Sequence, residues 1–253
     1  ERAKVLWFRR MIRASAARAR LLVCVSRHTA HRLAETLGDT APVEVIAHGV
    51  DHTRFSPRAG AGDDGALLAE LGVHPPFVAF AGTLEPRKNV PGLIRAVDKV
   101  RSAHPEVQLV LAGRPAWGAT GVDGALAAST VGALRLGYVA DEVLPALFRG
   151  AAAVAYPSFE EGFGLPALEA LACGAALVTT TGSAMEEVVD DGALLVPPGD
   201  DDALAGALEA LLAGGPDIDR PRRRGPEVAA AHTWARCAAD HVRAYRRVAG
   251  SAP

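Results

Sequence analysis

The chain has 253 residues, 49% of them hydrophobic and 22% charged, with a formal net charge of −2. That length holds one large domain or two smaller ones with a proper core, and the near-neutral charge, not gathered into one basic stripe, gives no reason to expect a nucleic-acid partner. Three widely spaced cysteines, Cys24, Cys173 and Cys237, form no C-x-x-C pair, so neither a zinc site nor a disulfide framework is indicated and a reducing compartment fits.

The first 20 residues carry seven Arg or Lys. The apolar run Val5–Phe8 is too short for a signal-peptide core and charges follow it at once. We expect an amphipathic helix docked on the fold, with a basic helix lying on a membrane surface as the alternative. Leu21–Val25 then reads as a strand, Ser26 as the cap of a helix through about Leu37, and Val43–Ala47 as a second strand. The glycine-rich stretch from Pro57 to Gly65 is the best linker candidate.

Beyond it, six apolar runs have strand length: Phe77–Ala81, Val107–Ala112, Ala133–Leu136, Ala151–Tyr156, Ala176–Thr180 and Ala193–Val196. Helical patterns near 89–103, 122–130, 140–149, 165–172, 183–189 and 200–213 lie between or after them. Strands apolar on both faces and separated by helices imply a parallel sheet covered on both sides, a Rossmann-like α/β domain. Asp217–Arg224 reads as a polar break before a last helix at about 227–248. Asp200-Asp-Asp202 is expected to cap and charge the start of a helix rather than hold a metal.

In such a sheet, ligands bind beyond the carboxyl ends of the strands. The loops there read Gly82-Thr-Leu-Glu-Pro-Arg-Lys-Asn89, Gly113-Arg-Pro-Ala-Trp-Gly118, Gly137-Tyr-Val-Ala140, Pro157-Ser-Phe-Glu-Glu-Gly-Phe-Gly164 and Thr181-Gly-Ser183. Neither G-x-G-x-x-G nor a P-loop occurs. Arg87 and Lys88, adjacent and just before a helix, suit a diphosphate whose charge grows as it leaves. Glu161 and Glu169 stand eight positions apart around a glycine-rich turn. On a helix that is about 2.2 turns, so both carboxylates would project to one side, with the intervening amides at a helix N-terminus. A hydroxylated sugar beside an anionic diphosphate would satisfy that arrangement.

These motifs, together with Leu109-Val-Leu-Ala-Gly113 before Trp117-Gly118, Leu136-Gly-Tyr-Val139 and the run from Tyr156 to Gly174, follow one another in order. As a set they resemble the C-terminal, donor-binding domain of the group 1 (family 4) retaining glycosyltransferases of the GT-B fold, a likeness running from about Leu22 to the final helix. The resemblance implies that Arg87 and Lys88 hold the donor diphosphate, that Glu161 contacts hydroxyls of the transferred sugar and that Glu169 binds the nucleotide ribose. It further implies donor contacts from Gly82, Phe163, Gly164 and Leu165, with Tyr138 and Val139 by the base, mainly through backbone. No metal or other cofactor is expected, since Arg87 and Lys88 would supply the positive charge. GDP-mannose is the favoured donor, UDP-glucose, UDP-N-acetylglucosamine or a deoxysugar nucleotide remain open, and the acceptor (glycan, lipid or small molecule) is not readable.

The sequence departs from the family pattern at Ala175-Ala176, at Met185, where proline is common, and at His48, where asparagine is frequent. Met185 is expected to affect loop shape, and His48 a hinge-side structure. Residues 1–55 read as the end of an acceptor-side domain, 56–76 as linker and first helix, 77–226 as the donor-binding domain, and 227–253 as a helix crossing back. The acceptor domain itself is expected to be missing or supplied elsewhere. A cytoplasmic location is expected, with the basic N-terminal helix offering peripheral contact at the inner membrane face. The competing readings are a non-catalytic nucleotide-sugar-binding remnant or assembly partner, and a GT-B-fold sugar-nucleotide epimerase.

Overall fold

The computed structural model describes residues 2–38, 41–58, 62–116 and 120–250. Trp117-Gly118 and the centre of the 57–65 stretch lie outside the described residues. In chain order the elements are α1 (Arg2–Arg18), β1 (Leu22–Cys24), α2 (Arg27–Leu37), β2 (Val43–Val45), α3 (Asp64–Glu70), β3 (Phe77–Ala81), α4 (Val90–Val100), β4 (Gln108–Ala112), α5 (Thr120–Ala128) and β5 (Leu134–Gly137). There follow α6 (Val143–Gly150), β6 (Ala153–Tyr156), α7 (Leu165–Ala172), β7 (Leu177–Thr180), α8 (Ala184–Val189), β8 (Leu194–Val196), α9 (Asp201–Ala213), α10 (Pro216–Ala230) and α11 (Trp234–Gly250).

The chain divides into two compact units, Glu1–Gly49 with His232–Pro253, and Val50–Ala231. In the first, β1 and β2 pair in parallel, and Ser26 caps α2 by accepting from the Thr29 amide at 3.0 Å. Ile46, Cys237 and Ala244 form a small core with Leu21 against it, and Arg247 pairs with Glu44. His48 rests 5.7 Å, ring to ring, from Trp234, consistent with a structural role. The expectation of a docked α1 is not met: Val5, Leu6, Trp7, Phe8, Met11 and Ile12 are all exposed, and Ala16 is the buried exception among its described side chains. Its apolar residues surround the helix among basic ones instead of forming a single stripe, so no one face can be buried whole.

The second unit holds the six-stranded sheet, in the order β5-β4-β3-β6-β7-β8. Every neighbouring pair is parallel. Helices cover both faces, α4 packing on α5 and α9, and α7 on α6, α8 and α10. The two central strands are buried throughout, as parallel strands under two helical layers must be. This is the Rossmann-like α/β architecture expected, with strand bounds off by two residues at most. One reading fails: Asp217–Arg224 lies within α10, which contains Pro221 and Pro226. Pro216 opens that helix, where proline is tolerated, and Ile218, Val228 and Ala229 supply a buried face that outweighs the polar surround.

The strand order reverses between β3 and β6. Chain leaving β3 builds outward through β4 and β5, and chain leaving β6 builds the other way through β7 and β8. Ligand crevices in such sheets form outside the carboxyl ends of the strands at this switch point.

Candidate functional site

The loops after β3 and β6 meet at the switch point. After β3, Pro86 opens a single 3-10 turn, Pro86–Lys88, ended by Asn89 in the left-handed conformation (φ 51°, ψ 38°). The Asn89 side chain caps α4 by accepting from the Gly92 amide at 3.2 Å. That turn holds Arg87 and Lys88 next to one another, and the Arg87 carbonyl accepts from the Phe159 amide of the other loop at 2.8 Å. Glu161 closes the junction. One of its oxygens accepts from Arg87 at 2.6 Å and the other from Lys88, with Ser158 Oγ donating to the second at 3.1 Å. Arg87 also pairs with Glu85 at 2.6 Å. Lys88 and Glu161 are buried, whereas Arg87 stays half exposed.

Glu161 is therefore a loop residue, and the expectation that Glu161 and Glu169 share one helical face is corrected. The helix begins only at Leu165, because Gly164 turns the chain at φ 98°. A Cβ at Gly164 would stand 2.1 Å from Met185 Sδ, so Met185, itself buried, sets the shape of this turn. The charges of both carboxylates still act on Tyr156. That residue is 1% exposed and packs 5.6 Å from the Phe80 ring. Burial foremost, with the charges of Glu169 and Glu161 adding to it, pushes its phenol well above the usual range.

Glu169 lines a cavity of about 270 Å³ with Gly82, Gly113, Arg114, Tyr138, Val139 and Asp141. Its floor is main chain. Gly82 donates to the Ala112 carbonyl at 2.8 Å and Gly113 to the Gly137 carbonyl at 2.6 Å. A Cβ at Gly113 (φ 145°) would lie 1.9 Å from the Gly82 oxygen, so only glycine fits. The rim is side chain, with Arg114 stacked 4.9 Å over the Tyr138 ring. Burial pushes the Glu169 carboxyl up to about 7, the charge of Arg54 opposing it. Among the described residues no hydrogen-bond donor reaches that carboxylate.

Of the residues singled out from the sequence, Arg87, Lys88 and Glu161 thus form one ion cluster, and Gly82, Tyr138, Val139 and Glu169 line one cavity. Gly164 and Leu165 form the N-terminus of α7, and Phe163 is buried in the core at 5% exposure. Sequence reasoning passed over Arg54, Arg114 and Asp141. Arg114 directly follows the glycine that ends β4, a position that could have flagged it; Arg54 had no such signal beyond lying three residues after Asp51. Chemically, two cations beside a helix N-terminus can neutralise a diphosphate. An unpaired carboxylate in a half-apolar cavity can accept hydroxyl hydrogens. Among the described residues no group of three His, Cys, Asp or Glu gathers as metal ligands.

The family described as "Glycosyl transferases group 1" matches residues 70–228. Among named relatives, O-antigen chain mannosyltransferase B of Escherichia coli is 31% identical over 176 residues, covering 67% of this chain and 45% of that protein. D-inositol 3-phosphate glycosyltransferase of Rhodococcus erythropolis is 30% identical over 241 residues, 90% of this chain and 54% of that protein. The chain thus spans about half the length of these curated relatives. Among solved structures, sucrose-phosphate synthase from Thermosynechococcus elongatus superposes with a TM-score of 0.84 at 24% identity, over 96% of this chain and 62% of that one. HepE of Anabaena, in complex with UDP-glucose, gives 0.85 at 22% identity, over 94% and 67%. These likenesses concern the fold, and the parallel sheet with its two helical layers matches a GT-B type.

Proposed function

Since the chain belongs to the glycosyl transferases group 1 family, we propose that it carries the donor-binding half of a retaining glycosyltransferase, moving a hexose from a nucleotide diphosphate sugar to an acceptor hydroxyl. The observation that carries this reading is the junction at the switch point, where Arg87 and Lys88 from one loop meet Glu161 from the other, on the same sheet edge whose loops line the cavity of Glu169. In this reading the donor diphosphate takes the charge of Arg87 and Lys88, and the N-terminus of α7, with Gly164 and Leu165, adds its dipole. Glu161, freed from part of its pairing, accepts hydroxyls of the sugar. Glu169 accepts from the ribose, and the base lies between Gly82 and the Tyr138-Val139 rim.

Departure of the nucleoside diphosphate leaves an oxocarbenium-like sugar, and the acceptor attacks from the face the leaving group vacates, retaining configuration. Positioning and stabilisation of the departing phosphate drive such a step. Arg87 and Lys88 supply that positive charge, so the reading includes no divalent metal or other cofactor. GDP-mannose is the favoured donor, supported by the mannosyltransferase relative. The UDP-glucose of HepE keeps a uridine donor as the competitor.

The acceptor, a glycan, lipid or small molecule, would be bound by a domain of which Glu1–Gly49 and His232–Pro253 are a part, and Val50–Ala231, which includes Arg54 and Phe55, would bind the donor. The exposed Trp7 and Phe8 of α1, among Lys4, Arg9, Arg10 and Arg13, fit a helix that touches the inner membrane face of a cytoplasmic enzyme. Unchanged sedimentation of the chain with anionic vesicles would remove that last element.

Calorimetry of the chain against GDP, UDP, GDP-mannose and UDP-glucose tests the donor site, with Glu169→Ala as control. Saturable binding of one base family, weakened about tenfold or more by Glu169→Ala, is the expected result. A folded chain that binds none of the four would overturn the proposal. Binding without transfer, in a preparation that includes an acceptor domain, would leave a non-catalytic nucleotide-sugar binder.

A further inference from the structure

We propose that Arg54 is a positioning residue of the nucleoside subsite, tying the loop that bears Tyr138 and Val139 to the turn after Asp51 and setting a positive charge against Glu169. The inference rests on the donor-site reading and extends it to a segment that none of the family-derived roles includes.

The turn is built for the purpose of fixing one side chain. Asp51 Oδ1 accepts from the Thr53 amide at 2.9 Å, the Thr53 hydroxyl at 2.6 Å and the Arg54 amide at 3.3 Å. The Asp51 carbonyl accepts from the Phe55 amide at 2.8 Å. These bonds, those from Thr53 foremost, hold the Asp51 carboxyl below its ordinary range. Phe55, 3% exposed, anchors the turn in the core, 6.3 Å from the Phe148 ring. The Arg54 guanidinium lies 4.9 Å over the Phe55 ring. From there it donates to the Asp141 carbonyl through Nε at 3.1 Å and Nη2 at 2.8 Å, and to the Asp141 carboxylate at 3.0 Å.

Asp141 ends the loop that leaves β5, the loop that carries Tyr138 and Val139 into the cavity wall. Two donors on one carbonyl, with a third on the side chain, fix both the position and the direction of that wall. The same guanidinium is, among the described residues, the charge that opposes burial at Glu169. Burial foremost holds the Tyr156 phenol well above its usual range and pushes the Cys173 thiol up to about 12, so both are neutral. On the cavity rim Arg114 is a second cation, and the Asp141 carboxylate is the partner of Arg54. A ribose hydroxyl donates better to a carboxylate than to a carboxylic acid, so Arg54 favours the binding form.

Arg54→Ala, Arg54→Lys and Arg54→Gln, made in the whole chain, test this in two readouts. Carbon-13 NMR titration of the glutamate carboxyls, with Glu169 assigned through Glu169→Gln, needs no ligand. The midpoint of Glu169 should rise by about one pH unit in Arg54→Ala or Arg54→Gln and return in Arg54→Lys. GDP and UDP affinities measured from about pH 6 to about pH 9 should show Arg54→Ala losing nearly tenfold at about pH 6 and about fivefold at about pH 7, and regaining most of it at the alkaline end. Arg54→Gln replaces the alanine variant if that one does not fold. An unmoved midpoint with a loss of the same factor at every pH overturns the charge role of Arg54, and an unchanged affinity overturns its positioning of the wall, in either case leaving the donor site intact. A moved midpoint in a chain that binds no nucleotide overturns the donor-site reading and the subsite role with it.

Discussion

Lys88 and Glu161 stand 73 positions apart in the sequence, yet they form a buried ion pair where the two central strands end. Removing Lys88 takes the buried cation from Glu161 and leaves it only Ser158 and the half-exposed Arg87, whereas removing both charges leaves little to compensate. Lys88→Ala should therefore destabilise the chain by about 3 kcal/mol, and Lys88→Met combined with Glu161→Gln should recover most of that loss. Urea unfolding of the single and double variants measures it. Equal destabilisation by both would show that the pair contributes nothing through its charge.

Glu169 makes stability depend on pH in a stated direction. Its folded-state value of about 7 lies above the ordinary 4.5. Between those two values the folded chain keeps a proton that the unfolded chain has lost, so stability falls as pH rises through the window and stays low above it. Glu169→Gln should flatten that slope and stabilise the chain above neutrality by about 2 kcal/mol, a figure reduced for partial solvent screening. Thermal unfolding across the window checks this, and a wild-type slope retained by the glutamine variant would refute it. The same variant should bind nucleotide more weakly, so stability and binding change in opposite senses.

Gly164 combines a left-handed backbone with a steric conflict, since any Cβ there meets Met185 Sδ. Gly164→Ala should cost about 2 kcal/mol, part backbone and part clash. Pairing it with Met185→Ala should cost less than the sum of the two single changes, because only the clash is shared. A double-mutant cycle in chemical denaturation gives the coupling, and strict additivity would place the whole cost in the backbone.

Gly113→Ala meets main chain instead of a movable side chain. The ends of β3 and β4 must separate to admit the methyl group, so we expect a loss of about 3 kcal/mol or more, beyond the usual range for a surface loop. Nucleotide affinity should fall with it. A variant as stable as the parent would mean that the loop ends shift freely.

The sheet was legible because its strands are apolar on both faces and its helices are separated by glycine and proline punctuation, signals that depend only on local chain. Ser26 and Asp200 were readable as caps for the same reason, and both side chains accept the expected amides. What local reasoning missed depends on distance in space. The helix at 165–172 was read correctly, but the helical spacing drawn between Glu161 and Glu169 failed because Glu161 precedes the turn at Gly164, which packs against a methionine 21 residues later. Asp217–Arg224 looked like a break because its buried face is only a few residues deep within a charged surround. Arg54 was invisible because its meaning lies 87 positions away at Asp141.

The contact between Gly82 and Gly113 has a consequence for how such a pocket can change over time. Main chain offers no side chain to exchange, so the floor formed by these two glycines is nearly closed to point substitution. Variation in what the pocket accepts must come from the side chains that stand up around it, among them Thr83, Arg114, Tyr138, Val139, Asp141 and Leu144. On the proposed donor reading, a change of nucleotide preference is then a change of fence around a fixed plot, and the shortest route to a different donor runs through those side chains.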